Sequence, residues 1–250
     1  MFQNKPVVNL AIVIPTLNEE HFVGGLLDSI SLQSVSPKEI VVADACSDDK
    51  TVTEVSKRSK KLPQLKVYQI PKSTISRQRN FAALKTKSKH ILFLDADMEL
   101  KGRDILKKYL VEVKMKKADI AASTNLPLTN YWKDKLFFSA MDILYRTIKP
   151  IWPMANGMNL YIKRSIFNKS GGFDEDLVIG EDQELVQRIV REGGRFAFLN
   201  KTKLHTSARR YAKEGRRKFV IKMLKSFLYI VRFGYRNNPV DYEFGEFKKL

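Results

Sequence analysis

Residues 91–97 read Ile91-Leu92-Phe93-Leu94-Asp95-Ala96-Asp97, four large apolar side chains in a row closed by two carboxylates one residue apart. An apolar run without alternation is what a strand covered on both faces requires, and such strands belong to parallel sheets flanked by helices. Outward from this run the same grammar repeats. Strands are expected at 10–15, 40–44, 65–70, 90–95 and 120–124, separated by helices near 21–33, 50–60, 77–87 and 103–116, lengths that suit right-handed crossovers. The pattern predicts an α/β fold of nucleotide-binding type, a Rossmann-like central sheet flanked by helices. Ligands of open α/β sheets sit beyond the carboxyl ends of the strands. In this chain those positions are polar: Pro15-Thr16-Leu17-Asn18-Glu19-Glu20, then Asp44, then Asp95-Ala96-Asp97.

Each cluster suggests a chemistry and a plainer use. Extended geometry points Asp95 and Asp97 to the same side, where two carboxylates repel unless they share a cation. Oxygen-only ligands suit Mg²⁺ or Mn²⁺, which is held by one or two carboxylates together with substrate phosphates. The same acids also serve as helix caps. Asp44 can accept a hydrogen bond from a ribose hydroxyl or a base N–H, while Asp48 and Asp49 suit the start of the following helix. Glu181 and Asp182 open a helix with an apolar face of Leu185 and Ile189. A helix start favours ionised carboxylates, which keeps one available as a proton acceptor, with capping the alternative role.

The ordered set resembles the family 2 glycosyltransferases. The matching stretches are Ile12-Val13-Ile14-Pro15-Thr16-Leu17-Asn18-Glu19-Glu20, Val41-Val42-Ala43-Asp44 with Ser47-Asp48-Asp49-Lys50-Thr51, Arg77-Gln78-Arg79-Asn80, Asp95-Ala96-Asp97, Gly171-Gly172-Phe173-Asp174-Glu175, and Glu181-Asp182 before Glu184-Leu185. The resemblance implies a GT-A fold and transfer of a sugar from a nucleotide-diphosphate donor, a UDP- or GDP-sugar, with inversion at the anomeric carbon. It implies that Pro15, Thr16, Asn18, Glu19 and Asp44 hold the nucleotide, with Arg79 near its phosphates or base. Asp95, beside Ala96, would contact the nucleoside, Asp97 would bind the metal bridging the diphosphate, and Asp182 would be the general base. It further suggests His205 as a nitrogen ligand completing the metal site and Arg209 or Arg210 as a grip on the diphosphate. The Gln-x-x-Arg-Trp pattern of processive polysaccharide synthases is absent; the nearest stretch is Ser207-Ala208-Arg209-Arg210-Tyr211, which argues against extrusion of a long polymer.

Two other classes fit parts of the chain. A nucleotidyltransferase shares the architecture but usually opens with a glycine-rich basic loop, whereas residues 16–20 are acidic and free of glycine. A basic nucleic-acid-binding protein would explain the net charge of +18, from 45 Lys and Arg against 27 Asp and Glu, but not the ordered acids. No nucleic-acid partner is therefore expected. The charge is also uneven: residues 201–250 alone carry 14 basic and 4 acidic groups. With apolar residues at 44% and one cysteine, Cys46, the composition excludes disordered, collagen-like and disulfide-stapled classes.

The expected organisation is a GT-A domain over 1–205, its nucleotide-binding half near 1–100 and its acceptor half near 101–205, followed by a basic amphipathic region at 206–250. No secretory leader is apparent, and the longest charge-free runs, 13 residues at 6–18 and 150–162, fall short of the ~20 needed to span a bilayer. In 216–236, Val220, Met223, Leu224, Phe227, Leu228 and Val231 share one helical face and Lys218, Lys222, Lys225, Arg232 and Arg236 the other. That face either packs on the core or lies in a membrane interface. A second amphipathic helix, 131–153, offers Trp132, Phe137, Phe138, Ile151 and Trp152. Peripheral attachment to the cytoplasmic face of a membrane is expected, with a lipid-linked or other membrane-bound glycan acceptor.

Overall fold

The computed structural model describes residues 5–155, 157–177, 179–236 and 239. The first half of the chain builds β1 (Val7–Thr16), α1 (Val23–Ser31), β2 (Ser36–Asp44), α2 (Thr51–Ser56), β3 (Leu65–Gln69), α3 (Ile75–Leu84) and β4 (His90–Leu94). It continues with β5 (Met98–Glu99), α4 (Ile105–Met115), β6 (Ile120–Pro127), α5 (Trp132–Ile148), β7 (Asn159–Lys163) and α6 (Arg164–Ser170). The remainder is α7 (Glu181–Arg191), β8 (Phe196–Thr206), α8 (Arg209–Glu214) and α9 (Arg216–Phe233).

Among the described residues the strands form one eight-stranded sheet in the order β3-β2-β1-β4-β7-β6-β8-β5. β3, β2, β1 and β4 are parallel, β7 runs against both β4 and β6, and β5 runs against β8. The unbroken apolar runs are explained by two cores. Alternate residues of β1 and β4 serve opposite faces: Leu10, Ile12, Leu92 and Leu94 enter one apolar cluster, while Val13, Ile91 and Phe93 enter the other. Helices α1 and α4 cover the first cluster, and α3 and α7 the second. All seven strand residues are at most 1% exposed, so the sheet has no solvated face at its centre.

Three features depart from the sequence expectation. β8, eleven residues long, was not foreseen, because its polar stretch Asn200-Lys201-Thr202-Lys203 interrupts the apolar run 196–199. The structure accommodates that stretch as a bulge: Ser123 of β6 pairs with Leu199, but Thr124 pairs with Lys203. The unpaired N–H groups of Asn200 and Thr202 donate to Glu112 of α4 at 2.7 and 3.0 Å, and Glu112 is 5% exposed. Second, the boundary expected at residue 205 falls inside β8, and α8 and α9 are not a separate appendage. Ala208, Tyr211 and Phe219 pack with Phe138 of α5 in a third apolar cluster, and Arg216 at the start of α9 ion-pairs with the buried Asp134 at 2.6 Å. The part of the expected basic region beyond Arg236, Pro239 apart, lies outside the described residues. Third, the apolar residues of the two amphipathic helices divide. Phe138 is buried and Phe137 packs on that cluster, while Trp152 is half-buried against Phe227; Trp132 and Ile151 stay exposed, as do Val220, Leu224, Leu228 and Val231.

Candidate active site

Two loops at the carboxyl end of the sheet are zipped together by their own polar groups. Thr16, at the end of β1, donates from its hydroxyl to Asp44 Oδ1 at 2.9 Å, and Asp44 also accepts from Ser47 N–H at 2.9 Å. Asn18 occupies the left-handed region (φ 56°), where its Oδ1 accepts from the Asp48 N–H. Glu19 N–H reaches the Thr51 hydroxyl at 2.7 Å, and Glu20 N–H reaches Asp49 at 3.0 Å. Pro15, Thr16 and Asp44 are all buried. The Asp49 carboxylate and the Asp48 N–H thus tie the loops, the exposed Asp48 carboxylate meets Lys72 at 3.3 Å, and Asp44 is an organiser of this loop pair from inside.

The Asp95–Asp97 segment is a turn, not the extended continuation of β4 that the spacing suggested. Met98 N–H donates to the Asp95 carbonyl at 3.2 Å, and Asp95 N–H donates to Met158. Ala96 fills the core beneath it, 3% exposed. The two carboxylates nevertheless line one cavity, each with its own arginine. Asp95 Oδ1 is 2.8 Å from Arg79, whose other terminal nitrogen holds Glu181 at 2.9 Å and which also donates to the Gly157 carbonyl. Arg79 is 1% exposed and spends its guanidinium on bracing α7 against the Asp95 turn. Asp97 Oδ2 is 3.3 Å from Arg209 Nε, and Arg209 reaches Glu19 at 2.5 Å while its guanidinium lies 4.2 Å over the Phe22 ring. Arg210, next in α8, lines the same cavity.

Burial raises the Glu19 carboxyl to about 7 against the pull of Arg209, and burial likewise raises Asp97, with Asp95 adding repulsion. The Glu19 Oε2 atom is buried without a hydrogen-bond partner. Among the described residues no three His, Cys, Asp or Glu side chains are grouped to hold a metal by themselves. The oxygen donors of Asp97 and Glu19, gathered about a cation, fit a hard divalent ion that takes its other ligands from phosphate and water.

His205 is not brought to this place. Side chains alternate along β8, so Thr206 points to Asp97, its hydroxyl 3.4 Å from Oδ1, while His205 pairs opposite Glu99 and lies near Lys101. The expected histidine ligand is therefore replaced in position by Thr206.

The same cavity is lined by Asp182, the second residue of α7. Its carboxyl is pushed up to about 7, chiefly by burial and then by the charge of Glu181, with Arg79 opposing. It accepts backbone hydrogen bonds from Gln183 and Gly157. A β-carbon on Gly157 would sit 2.8 Å from Asp182 Oδ2, so any larger residue there displaces the carboxylate. Gly180, with φ 81°, turns the chain into α7. The turn before it is fixed by Asn80, which exchanges hydrogen bonds of 2.8 and 2.9 Å with Phe173. A cavity of about 560 Å³ joins Asp95, Asp97, Arg79 and Asp182 and extends away from them between α5 and α9.

Comparison with known proteins identifies the family and the fold. The model of the glycosyl transferase family 2 matches residues 11–171, more than half of the chain. The O-antigen chain rhamnosyltransferase RfbN of Salmonella typhimurium is 25% identical over 206 residues, 76% of this chain and 64% of its own. The poly(ribitol-phosphate) beta-N-acetylglucosaminyltransferase TarS of Staphylococcus aureus is 34% identical over 96 residues, 36% of this chain and 16% of its own. The chain thus spans less than two thirds of either relative. In fold it is similar to the mannosyltransferase PcManGT of Pyrobaculum calidifontis solved with GDP-Man and Mn²⁺ (TM-score 0.72, 20% identity, 95% of this chain and 68% of that one). It is also similar to TarS 1-349 in complex with UDP-GlcNAc (TM-score 0.65, 21% identity, 81% and 59%). With its curled sheet of GT-A type and an acidic site at the carboxyl ends of the strands, the chain belongs to the family 2 glycosyltransferases.

Proposed function

We propose that this protein transfers a glycosyl group from a nucleotide-diphosphate sugar to an acceptor hydroxyl with inversion. The observation that carries the reading is Asp182: a buried carboxyl raised to about 7, lining the same cavity as Asp95 and Asp97. The acceptor oxygen attacks the anomeric carbon as the bond from that carbon to the diphosphate oxygen breaks. The proton passes to Asp182, and the electron pair leaves with the nucleoside diphosphate. A single displacement needs no carboxylate nucleophile, and a base with a pKa near the working pH is matched to this task.

The donor is assigned to the loop pair around Thr16, Asn18, Glu19 and Asp44 and to Asp95, with Arg209 and Arg210 set to exchange carboxylate partners for phosphate. Asp97, assisted by Glu19, is assigned to Mg²⁺ or Mn²⁺, which when bound offsets charge growing on the leaving diphosphate. The complexes of the two structural relatives, with GDP-Man and Mn²⁺ and with UDP-GlcNAc, support a donor of this class. Arg79 acts by positioning Asp95 and Glu181. Among the described residues no helix is long and apolar enough to cross a membrane, and the exposed apolar residues of α5 and α9 beside many Lys and Arg support attachment at the cytoplasmic surface of one.

Thermal-shift titration with UDP, GDP and their sugars in Mg²⁺ or Mn²⁺ tests the donor assignment, since a ligand that binds the native state raises its melting temperature. A stabilisation by one nucleotide that depends on the divalent ion is expected; no response to any of them would overturn the reading.

A further inference from the structure

The cavity that holds the carboxylates has a second half unlike the first. Beyond Asp182 its walls are Met141, Leu144, Met223, Leu224, Phe227 and Ile230, contributed by α5 and α9. The two helices are clasped where the chain enters them, by Arg216 on Asp134 at 2.6 Å and by Phe137 against Phe219 with centroids 6.4 Å apart. Trp152, just past α5, meets Phe227 at 6.4 Å. Between these ties lies the apolar trough, and its outer rim is exposed: Leu144 is 44%, Val220 42% and Leu224 56% accessible.

A glycan in this trough would lose water from its hydroxyls and find few polar side chains to replace it, which disfavours it there. The walls instead favour an apolar chain, while the end of the same cavity carries Arg210 and Asp182. A trough greasy at one end and charged at the other fits an amphiphile lying along it. Arg210, at the charged end, supplies attraction for an anionic head.

We infer that the acceptor is lipid-linked, its apolar chain lying between α5 and α9 and its phosphate-bearing head presenting the accepting hydroxyl to Asp182. This rests on the donor reading above for its chemistry and goes further by naming the acceptor class.

Calorimetric titration of the full chain with farnesyl phosphate, below its micelle concentration, tests the trough directly. One molecule per chain is expected to bind saturably, and inorganic phosphate not to compete at equal concentration. Leu224→Glu puts a charge on the trough wall at a position exposed enough to leave folding intact; it is expected to weaken binding at least tenfold. Ile143→Glu removes an equally exposed apolar residue of α5 that lies outside the cavity, and is expected to change binding less than twofold. Absence of saturable binding, an unaltered affinity in Leu224→Glu, or equal losses in both variants would overturn the proposal, the last marking general adhesion to lipid. A dimer that farnesyl phosphate fails to dissociate would overturn it too, by giving the trough to a second copy.

The melting response to UDP or GDP with Mn²⁺ is read on the same samples. Binding of farnesyl phosphate without any nucleotide response supports the trough and refutes the donor reading. Nucleotide response without farnesyl phosphate binding refutes the trough alone.

Discussion

Asp182 and Gly157 act as one unit, because the glycine supplies both a hydrogen bond and the clearance the carboxylate needs. Asp182→Asn should retain nucleotide binding and lose transfer by ~10²–10⁴-fold in kcat/KM, the range for removing a general base. In the parent protein kcat/KM should rise with pH through about 7, as Asp182 loses its proton, and the residual rate of the Asn variant should lack that rise. Stability should follow the opposite course. A carboxyl raised from its ordinary range near ~4 binds its proton more tightly folded than unfolded, so unfolding free energy falls as pH climbs from there through about 7. Urea denaturation across that range checks the sign, and Asp182→Asn should flatten part of the slope. Gly157→Ala should push the Asp182 side chain aside and cost about tenfold or more in kcat, since small misplacements of reacting groups are expensive. The acids were legible in sequence because each sits directly after an apolar run or at a helix start. Gly157 and Thr206 were not, since their roles are clearance and contact with residues far along the chain. His205 was misplaced for a related reason: without β8 as a strand, nothing indicated that 205 and 206 face opposite ways.

At the scale of elements, buried polar side chains hold the unforeseen parts of the fold. Glu112 was legible only as one acid in a helix, yet it receives the backbone of the β8 bulge, a pairing across some ninety residues that local patterning does not encode. Glu112→Ala should cost about 2–4 kcal/mol in equilibrium unfolding, because several donors lose a charged acceptor at once. Asn80 similarly joins α3 to the turn at Phe173. Asn80→Ala removes both hydrogen bonds and should destabilise by about 1–3 kcal/mol while lowering transfer, since that turn leads into the helix bearing Asp182. β1 through β4 and the helices between them followed from hydrophobic runs and crossover lengths alone. The apolar faces of α5 and α9 were legible as faces, but which residues turn inward depended on the Asp134–Arg216 pair, which no periodicity reveals.

For the whole molecule, the excess of positive charge and the acidic site are partitioned along the chain, with most of the basic excess on the segment that ends in α9. Association with phosphatidylglycerol vesicles should be strong at ~0.05 M salt and largely lost near ~0.5 M, where charges more than a few ångströms apart are screened; cosedimentation measures it, and salt-insensitive or absent binding would count against surface attachment. The Glu19–Arg209–Asp97 bridge has a further consequence for how the protein comes into being. It joins side chains 190 residues apart, so a chain emerging from the ribosome holds Glu19 and Asp97 long before it holds the arginine between them. Until α8 docks, Glu19 and Asp97 confront each other uncompensated. A chain that ends before α8 therefore carries Glu19 and Asp97 without the arginine that bridges them.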